Sequence, residues 1–328
     1  MGTKYGGGEN FDLNLAVALN KYVHLNVFIV SDFRQYKYDY ISTIHVKSIN
    51  LRNYVDSVKG KTLAHKIFKF MLLELDLFVF SLRVFNRIRK KNGIVISTGN
   101  PYIYQLLKNN SKFKLYIHWP GRPQYLTHIL GKSAKSIANG DVLAFCKSKG
   151  YNIYNIPLGI DLGDYRRSDK FEYDLLFVGR IHPIKNLEYW IQLVNNSNTI
   201  KSAAIVGTGV NSYVEELKSF SSDKISWLGF LQGEDLNRIY SKSKVFLLTS
   251  HYDNLPNVIL EAMARGLSII SITNTGYFKG KYHDYISWID YNLTRLDNVE
   301  IVNQNNTWYT SWEDSAECFQ KIIKNDGF

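Results

Sequence analysis

One stretch in the second half of the chain alternates an apolar run, a polar loop, a short helical segment and a second apolar run. The two apolar runs are Val245–Thr249 and Ser268–Ile272, and their length and composition predict buried strands. The segment between them, Val258–Arg265, is predicted to be a helix with Asn257 as its N-cap and Gly266 as its stop. A strand, a helix and a strand in this order form a βαβ unit, which requires a parallel sheet.

The same alternation extends upstream of this unit. Short apolar runs predict strands at 173–178, 201–206 and 225–230, and helical spacing predicts helices at 186–196, 214–220 and 234–241. Strands that alternate with helices favour a doubly wound α/β domain. In such domains ligands bind at the carboxyl ends of the strands, so we expect functional side chains in the loops that follow them.

Two carboxylates follow the Val245–Thr249 strand. Asp253 lies in the predicted loop, and Glu261 lies eight positions later, about two turns into the helix. Asp253 could hold sugar hydroxyls, and Glu261 could accept hydrogen bonds from ribose hydroxyls. The alternative is an ordinary capped helix with a solvated Asp253. The loop backbone is a further candidate for contacts with a sugar: Asn254, Leu255, Pro256 and Asn257.

Two cations follow the 173–178 strand. Arg180 and Lys185 flank a turn at Pro183, just before a predicted helix. Together they could neutralise a nucleotide diphosphate, because Arg engages phosphate oxygens in pairs, Lys supplies a point charge and a helix N-terminus adds amide donors. The alternative is two solvated surface cations. Gly207, at the end of the next strand, could help to cradle phosphate, but the full dinucleotide pattern is missing and a tight turn is favoured.

The first half of the chain is strongly basic. Residues 1–155 hold 23 Lys and Arg against 8 Asp and Glu, whereas residues 156–328 hold 17 against 21. A basic face can meet anionic lipid, a pyrophosphate-linked acceptor or nucleic acid. Nucleic acid is the weakest of these, since no helix-turn-helix, zinc-finger or RNA-binding signature accompanies the charge. The predicted helix 63–91, dense in Phe and Leu, could lie at a membrane interface or pack as ordinary core.

Local patterns in this half suggest four candidate site residues. Gly7 and Gly8 precede an amphipathic run, where backbone could approach an anion closely; a disordered terminus is the alternative. His118 ends a predicted strand that begins at Leu115, a position that suits an active-site residue as well as a structural one. Arg122, in the following loop, could meet an acceptor phosphate or could be solvated surface.

Cysteine usage and targeting signals indicate the cytoplasm. Cys146 and Cys318 are far apart and have no metal-binding spacing, which fits a reducing compartment without a structural metal. Residues 1–20 lack the pattern of a signal peptide. The most apolar stretch, residues 67–82, is short for a membrane span and contains charges.

Taken together, these motifs resemble those of retaining GT-B glycosyltransferases of the glycosyl transferases group 1 family (GT4). Residues 253–266 are similar to its E-x7-E signature, with Asp253 where the family more often has Glu. Residues 179–186 resemble its G-R-x5-K-N diphosphate motif, with four intervening residues here. The resemblance covers most of residues 155–315 and only scattered points of residues 1–154. The family usually has a strand before the glycine loop, and we expect that strand to be absent here.

The resemblance implies two Rossmann-like, doubly wound domains that face a cleft. Residues 1–160 would bind the acceptor and residues 161–310 the nucleotide sugar, while residues 311–328 would form a helix that packs back on the N-terminal domain. The implied reaction moves a sugar, with retention, from a UDP- or GDP-linked donor to a glycan or a lipid-pyrophosphate-linked acceptor of surface polysaccharide synthesis. The implied location is the cytoplasm, with peripheral contact at the inner face of a membrane.

The implied mechanism is a front-face substitution in which the leaving phosphate helps to take the acceptor proton. Arg180 and Lys185 would stabilise that phosphate, Asp253 and His118 would orient the sugar, and Glu261 would bind the ribose. No cofactor is implied beyond the donor, and no metal, since the chain has no D-x-D motif. A non-catalytic nucleotide-sugar-binding subunit and a GT-B nucleotide-sugar epimerase stay open as alternatives.

Overall fold

The computed structural model describes residues 7–22, 26–30, 42–46, 51, 62–163, 165–272, 282–302 and 309–326. Contacts within the chain divide it into two units. Unit 1 comprises Met1–Gly159 together with Trp312–Phe328, and unit 2 comprises Ile160–Ser311. None of the described helices is both long and apolar enough to cross a membrane.

Unit 1 is built on parallel strands with helices in the connections between them. In chain order its elements are α1 (Gly7–Asn20), β1 (Asn26–Val30), β2 (Ser42–Val46), α2 (Leu63–Ile88), β3 (Gly93–Thr98), α3 (Pro101–Leu107), β4 (Phe113–His118), α4 (Tyr125–Gly131), β5 (Lys135–Ile137), α5 (Gly140–Ser148), β6 (Ile153–Tyr154) and, after unit 2, α10 (Trp312–Asn325). Strands β1 and β2 form one parallel pair, and β3 to β6 form a four-stranded parallel sheet in chain order. The strand that the family carries before its glycine loop would fall outside the described residues.

Helix α10 returns to unit 1 and is held at both ends. Near its start, the Cβ of any side chain at Gly159 would lie 2.4 Å from the Trp312 ring, so only glycine allows this contact. Near its end, Asp326 accepts a hydrogen bond from Tyr116 Oη at 2.5 Å and pairs with Lys135 Nζ at 2.7 Å. Burial opposes the charge of Asp326, but the hydrogen bonds from Lys135 and Tyr116 hold its pKa below the usual value.

Unit 2 is a doubly wound α/β domain. Its elements are β7 (Tyr173–Val178), a 3₁₀ turn (Pro183–Lys185), α6 (Leu187–Asn196), β8 (Ala203–Val206), α7 (Asn211–Ser219), β9 (Ile225–Gly229), α8 (Gly233–Ser241), β10 (Ser243–Leu248), α9 (Asn257–Ala264), β11 (Ser268–Ser271), a second 3₁₀ turn (His283–Tyr285) and β12 (Ile286–Trp288). All six strands are parallel, in the order β12-β11-β10-β7-β8-β9. The predicted alternation is therefore confirmed, with the strand bounds within two residues.

The core of unit 2 explains why its strands read as continuous apolar runs. Residues at the centre of β7, such as Leu175 and Phe177, pack against Trp190 of α6, and all three are fully or almost fully buried. Strands covered by helices on both faces have no solvent-exposed side, so polar alternation is lost. One local prediction was wrong by a residue: α9 begins at Asn257, and the N-cap position is Pro256, which offers no side-chain acceptor.

Candidate active site

The strand order of unit 2 reverses between β7 and β10. These strands are paired neighbours, yet two strands and three α-helices separate them along the chain. The connections from the two strands run to opposite faces of the sheet, which leaves a crevice at their carboxyl ends. Residues 179–186 follow β7 and residues 249–256 follow β10, so the fold brings both predicted motifs to this crevice.

The two motifs touch through an ion pair. Lys185 Nζ lies 2.7 Å from Asp253 Oδ1 and 2.8 Å from Oδ2, and the side chains are 16% and 17% exposed. The sequence predicts that Lys185 binds a phosphate and that Asp253 binds a sugar, and it predicts no contact between the two side chains. The structure shows that the cation holds the carboxylate in place, so the two side chains form one unit.

Backbone contacts fix the loop that carries Lys185. Residues Pro183–Lys185 form a 3₁₀ turn, and His182 Nδ1 accepts a hydrogen bond from the Ile184 amide at 3.2 Å. From the β10 side, Thr249 Oγ1 donates to the Lys185 carbonyl at 3.1 Å. The His251 amide donates to the Ile184 carbonyl at 2.9 Å. The loop after β10 thus secures the loop after β7, which preorganises the position of the Lys185 ammonium.

Arg180 differs from Lys185 in its surroundings. Its side chain is exposed, and it makes no ion pair with any residue in the described part of the chain. The guanidinium therefore keeps its hydrogen-bond donors available to an anion in the solvent. Of the two predicted phosphate ligands, one is already paired and the other is open.

Glycine at 207 and 209 allows the adjacent loop to approach closely. A Cβ at Gly207, whose φ is +147°, would lie 1.8 Å from the Gly179 carbonyl oxygen, and one at Gly209 would lie 2.2 Å from the Ile181 carbonyl oxygen. The Gly179 and Ile181 amides donate to the Val206 and Thr208 carbonyls at 3.0 and 2.8 Å. This tight packing accounts for Gly207 structurally, and its contact with phosphate stays a prediction.

Glu261 lies in a network that the sequence did not predict. Tyr240 Oη donates to Glu261 Oε2 at 3.2 Å, and Arg265 Nη1 donates to the Glu261 carbonyl at 3.1 Å. Arg265 Nη2 also donates to the Asp161 carbonyl at 3.0 Å, and its guanidinium lies 4.9 Å from the Tyr240 ring centroid. Burial raises the pKa of Glu261, while the Arg265 charge and the Tyr240 hydrogen bond oppose that rise.

In unit 1, His118 has an acidic neighbour that sequence reasoning missed. Its side chain is almost fully buried, and Nδ1 lies 2.7 Å from Asp12 Oδ1. The carboxylate oxygen is off the ring N–H direction, so this is an electrostatic contact rather than an aligned hydrogen bond. Thr98, which pairs with His118 across β3 and β4, donates to Asp12 Oδ2 at 2.5 Å. The Phe11 ring lies 4.7 Å from the imidazole.

The other candidates of unit 1 are Gly7, Gly8 and Arg122. Gly7 and Gly8 are the first two residues of α1, so they belong to its first turn rather than to a loop before it. Arg122 is exposed, and its guanidinium lies over the Phe145 ring at 5.3 Å from the centroid. That cation–π contact orients Arg122 without consuming its hydrogen-bond donors.

Neither the two cysteines nor a cluster of metal-binding side chains forms a further site in the described part of the chain. Both cysteines are free, and burial raises the pKa of Cys146 to about 11, so its thiol stays protonated. No group of three or more His, Cys, Asp or Glu side chains among the described residues is arranged to hold a metal ion.

Comparison with known proteins finds a family model that matches part of the chain. Residues 172–282, which include both motifs of the crevice, match the model of the glycosyl transferases group 1 family. The match lies within unit 2. The resemblance to this family that the motifs indicated is confirmed for these residues.

Sequence relatives align with different shares of the chain. The glycosyltransferase MJ1607 of Methanocaldococcus jannaschii is 32% identical over 115 residues, or 33% of this chain and 30% of that protein. Sulfoquinovosyl transferase SQD2 of Arabidopsis thaliana is 34% identical over 98 residues, or 30% of this chain and 19% of that protein. The chain thus matches less than a third of the length of either relative. A 41.2 kDa protein in the cps region of Klebsiella pneumoniae is 22% identical over 285 residues, covering 81% and 76% of the two chains.

Solved structures show the same fold over nearly the whole chain. Anabaena HepE, solved in complex with UDP and glucose, has a TM-score of 0.67 at 14% identity and covers 99% of this chain and 89% of that one. Sucrose-phosphate synthase from Thermosynechococcus elongatus has a TM-score of 0.65 at 14% identity, with 98% and 85% covered. WaaG, a lipopolysaccharide glycosyltransferase, has a TM-score of 0.55 at 12% identity, with 98% and 88% covered. The expected GT-B fold is confirmed.

Proposed function

We propose that the chain is a glycosyltransferase that moves a sugar from a nucleotide-diphosphate donor to a glycan or a lipid-linked acceptor on the cytoplasmic side of a membrane. The observation that carries the proposal is the crevice between β7 and β10, where Lys185 and Asp253 form an ion pair and the exposed Arg180 lies in the same loop as Lys185. Cations for a diphosphate and a fixed carboxylate for sugar hydroxyls are the groups that a nucleotide sugar requires.

The ion pair gives Lys185 and Asp253 linked roles. A lysine ammonium has three donor hydrogens, and the two close contacts with Asp253 leave one for a phosphate oxygen. Lys185 can therefore bind the donor diphosphate while it holds Asp253 in place as an acceptor of sugar hydroxyls. Arg180 supplies a second, unpaired cation. Both cations would stabilise the negative charge that develops on the leaving nucleotide.

Glu261 is proposed to bind the ribose of the donor. Its carboxylate already accepts one hydrogen bond from Tyr240, and burial disfavours its charge. Two ribose hydroxyls would add donors to this carboxylate and so stabilise its charged form. Asn254, Leu255, Pro256 and Asn257, together with Gly207, are proposed to contribute backbone groups to the same donor site.

Unit 1 is proposed to bind the acceptor. Arg122 is its candidate ligand for an acceptor phosphate, because the guanidinium is exposed and oriented by Phe145. We propose His118 as a residue that orients the sugar and Asp12 as the residue that positions its imidazole. Gly7 and Gly8, in the first turn of α1, are proposed to offer amides to an anion.

Retention and independence from metal are part of the same proposal and rest on the family resemblance. In a retaining front-face reaction the leaving phosphate takes the acceptor proton, so no separate protein base is needed. An epimerase would instead need an acid–base pair. Within the described part of unit 2, Asp253 is engaged by Lys185 and Glu261 by Tyr240, which favours transfer over epimerisation.

A donor panel tests the proposal. The chain is incubated with UDP- and GDP-linked sugars and with glycan or lipid-linked acceptors, with and without EDTA, and products are followed by mass spectrometry and by NMR of the anomeric proton. Released nucleotide with an α-linked product from an α-linked donor supports retaining transfer. A converted free nucleotide sugar would indicate an epimerase, and binding without turnover a non-catalytic subunit.

The variants Arg180→Ala and Lys185→Ala make this test specific. Each should slow transfer by about a hundredfold. Lys201→Ala removes an exposed cation elsewhere in unit 2 and serves as the matched control, which should keep full activity.

A further inference from the structure

Helix α2 carries an apolar face that is left open to solvent. Ile67, Met71, Leu75 and Phe78 follow one another at intervals of four, four and three residues, so they lie on one face of the helix. These side chains are 51%, 63%, 48% and 38% exposed. Large apolar side chains in such a continuous row are unusual on a solvated surface, because each one left in water costs burial energy.

A different face of α2 attaches it to unit 1. The buried residues of the helix are Ser81, Val84 and Ile88, which lie roughly 100° around the axis from the open row at 3.6 residues per turn. Ser81 Oγ donates to Asn100 Oδ1 at 3.2 Å, just before α3. The helix is therefore seated mainly by its buried face. Within the open row, Phe78 also meets α3, where its ring lies edge-on to Tyr102 at 5.5 Å between centroids.

Helix α4 extends the open row sideways. Tyr125 and Ile129 are 77% and 72% exposed, and the Tyr125 ring meets Phe70 of α2 edge-on at 6.0 Å between centroids. Tyr125 has φ +44°, a conformation that costs energy for a bulky residue. This strained start directs an aromatic ring outward beside α2. We call the row Ile67, Met71, Leu75 and Phe78, together with Tyr125 and Ile129, the docking face.

Cations flank the docking face at both ends of α2. Lys66 is exposed near the start of the helix, and Arg89, Lys90 and Lys91 are exposed just after its end. With 26 residues at 1.5 Å each, α2 is about 39 Å long, so these positive ends are well separated. An apolar stripe between basic ends suits a helix that lies in the plane of an anionic lipid interface.

We propose that the docking face binds an anionic lipid bilayer. The apolar side chains would enter the acyl boundary, and Lys66, Arg89, Lys90 and Lys91 would meet the headgroups. Charge favours this occupant over a second copy of the chain. The first 155 residues hold 23 Lys and Arg against 8 Asp and Glu, so two such faces would repel each other, whereas an anionic surface attracts one.

Co-sedimentation tests the apolar part of the proposal. Vesicles of phosphatidylcholine alone, or mixed with phosphatidylglycerol, are incubated with the chain at low and high salt. We expect binding to the anionic vesicles that weakens with salt. Met71→Gln with Leu75→Gln should lower the partition coefficient by about a hundredfold, because burying each such side chain is worth about tenfold. The control pair Val210→Gln with Phe230→Gln, which replaces exposed apolar residues of unit 2, should leave binding unchanged.

A second pair of variants tests the charge. Lys90→Gln with Lys91→Gln should weaken binding to anionic vesicles by about fivefold per cation, and Lys321→Gln with Lys324→Gln on α10 should have a smaller effect. All of these residues are exposed, so melting temperatures should stay the same.

Three results would overturn the proposal. The first is no binding to anionic vesicles at low salt. The second is a loss of binding in the unit 2 control pair that equals the loss in Met71→Gln with Leu75→Gln. The third is a dimer in light scattering that Met71→Gln with Leu75→Gln dissociates, which would assign the face to a second copy. None of these readouts uses sugar transfer, so a failed transferase assay leaves this test intact.

Discussion

The substitution Asp253→Asn should raise affinity for the free nucleotide while it lowers sugar transfer. Both Asp253 oxygens contact Lys185 Nζ, at 2.7 and 2.8 Å. A bound diphosphate must therefore share this ammonium with a carboxylate. Asparagine keeps the shape of the side chain and removes its charge, so the lysine becomes fully available to phosphate.

The size of the expected gain in nucleotide affinity follows from the contact between Lys185 and Asp253. A hydrogen bond to a charged group contributes about 1.5–3 kcal/mol, and we take the lower end because both side chains keep about a sixth of their surface exposed, at 16% and 17%. About 1.4 kcal/mol corresponds to tenfold in affinity. UDP or GDP should thus bind about tenfold more tightly to the variant. Transfer should fall by about a hundredfold, because Asp253 no longer orients the sugar.

Titration calorimetry with UDP and GDP, together with initial rates of transfer, measures both effects. Lys185→Ala and the double variant complete a cycle, since the gain in affinity must vanish when Lys185 is absent. Glu188→Gln, an exposed carboxylate on α6, is the matched control and should change neither quantity. Weaker nucleotide binding in Asp253→Asn, or a gain that persists without Lys185, would refute the reasoning.

Other predictions concern single residues of both units. Arg180→Ala should slow transfer about a hundredfold with an unchanged melting temperature, since the side chain is exposed and makes no described ion pair; kinetics and thermal unfolding measure this. Glu261→Gln should weaken nucleotide binding. In the parent chain, nucleotide affinity should fall as the solution is acidified, and because burial raises the pKa of Glu261, this fall should begin at a higher pH than for a solvated glutamate of pKa about 4.3. Calorimetry at several pH values measures both effects. Asp12→Asn should lower kcat more than it raises KM, because Asp12 contacts the His118 imidazole that is proposed to orient the sugar; an unchanged kcat in a folded variant would leave this role of His118 unsupported. Asp326→Ala should lower the free energy of unfolding by about 1–3 kcal/mol in urea titrations. Because the pKa of Asp326 is lowered in the folded state, its contribution is present above the unfolded value of about 3.9 and is lost as pH falls through the folded value.

Local signals were sufficient for the elements of unit 2 and for placing its two motifs at strand ends. The strand at Tyr173–Val178 and the helix after Pro256 were predictable because buried strands, helical spacing and helix stops depend on neighbouring residues. The motif residues Arg180, Lys185 and Asp253 were predictable as strand-end residues in a doubly wound sheet.

Contacts between residues that are far apart along the chain could not be predicted from local sequence signals. Tyr240 was predicted only as part of a helix, and Arg265 only as the end of one, yet both contact Glu261 in the folded domain. Asp12 resembled any polar residue of an amphipathic helix, and only the packing of α1 beside the end of β4 brings it to His118. No periodic signal could have singled out these three residues, because each acts through partners that lie elsewhere along the chain.

The sequence by itself determined the alternation of strands and helices, the positions of the two motifs and the uneven charge, because these depend on composition and on spacing along the chain. Only the tertiary structure decided that Lys185 and Asp253, which lie 68 residues apart, form an ion pair, since β7 and β10 become neighbours only when the sheet assembles. It likewise decided which side of α2 is buried. The sequence indicated an apolar helix, but a helix has several faces. Packing within unit 1 buried the face of Ser81, Val84 and Ile88 and left Ile67, Met71 and Leu75 largely exposed.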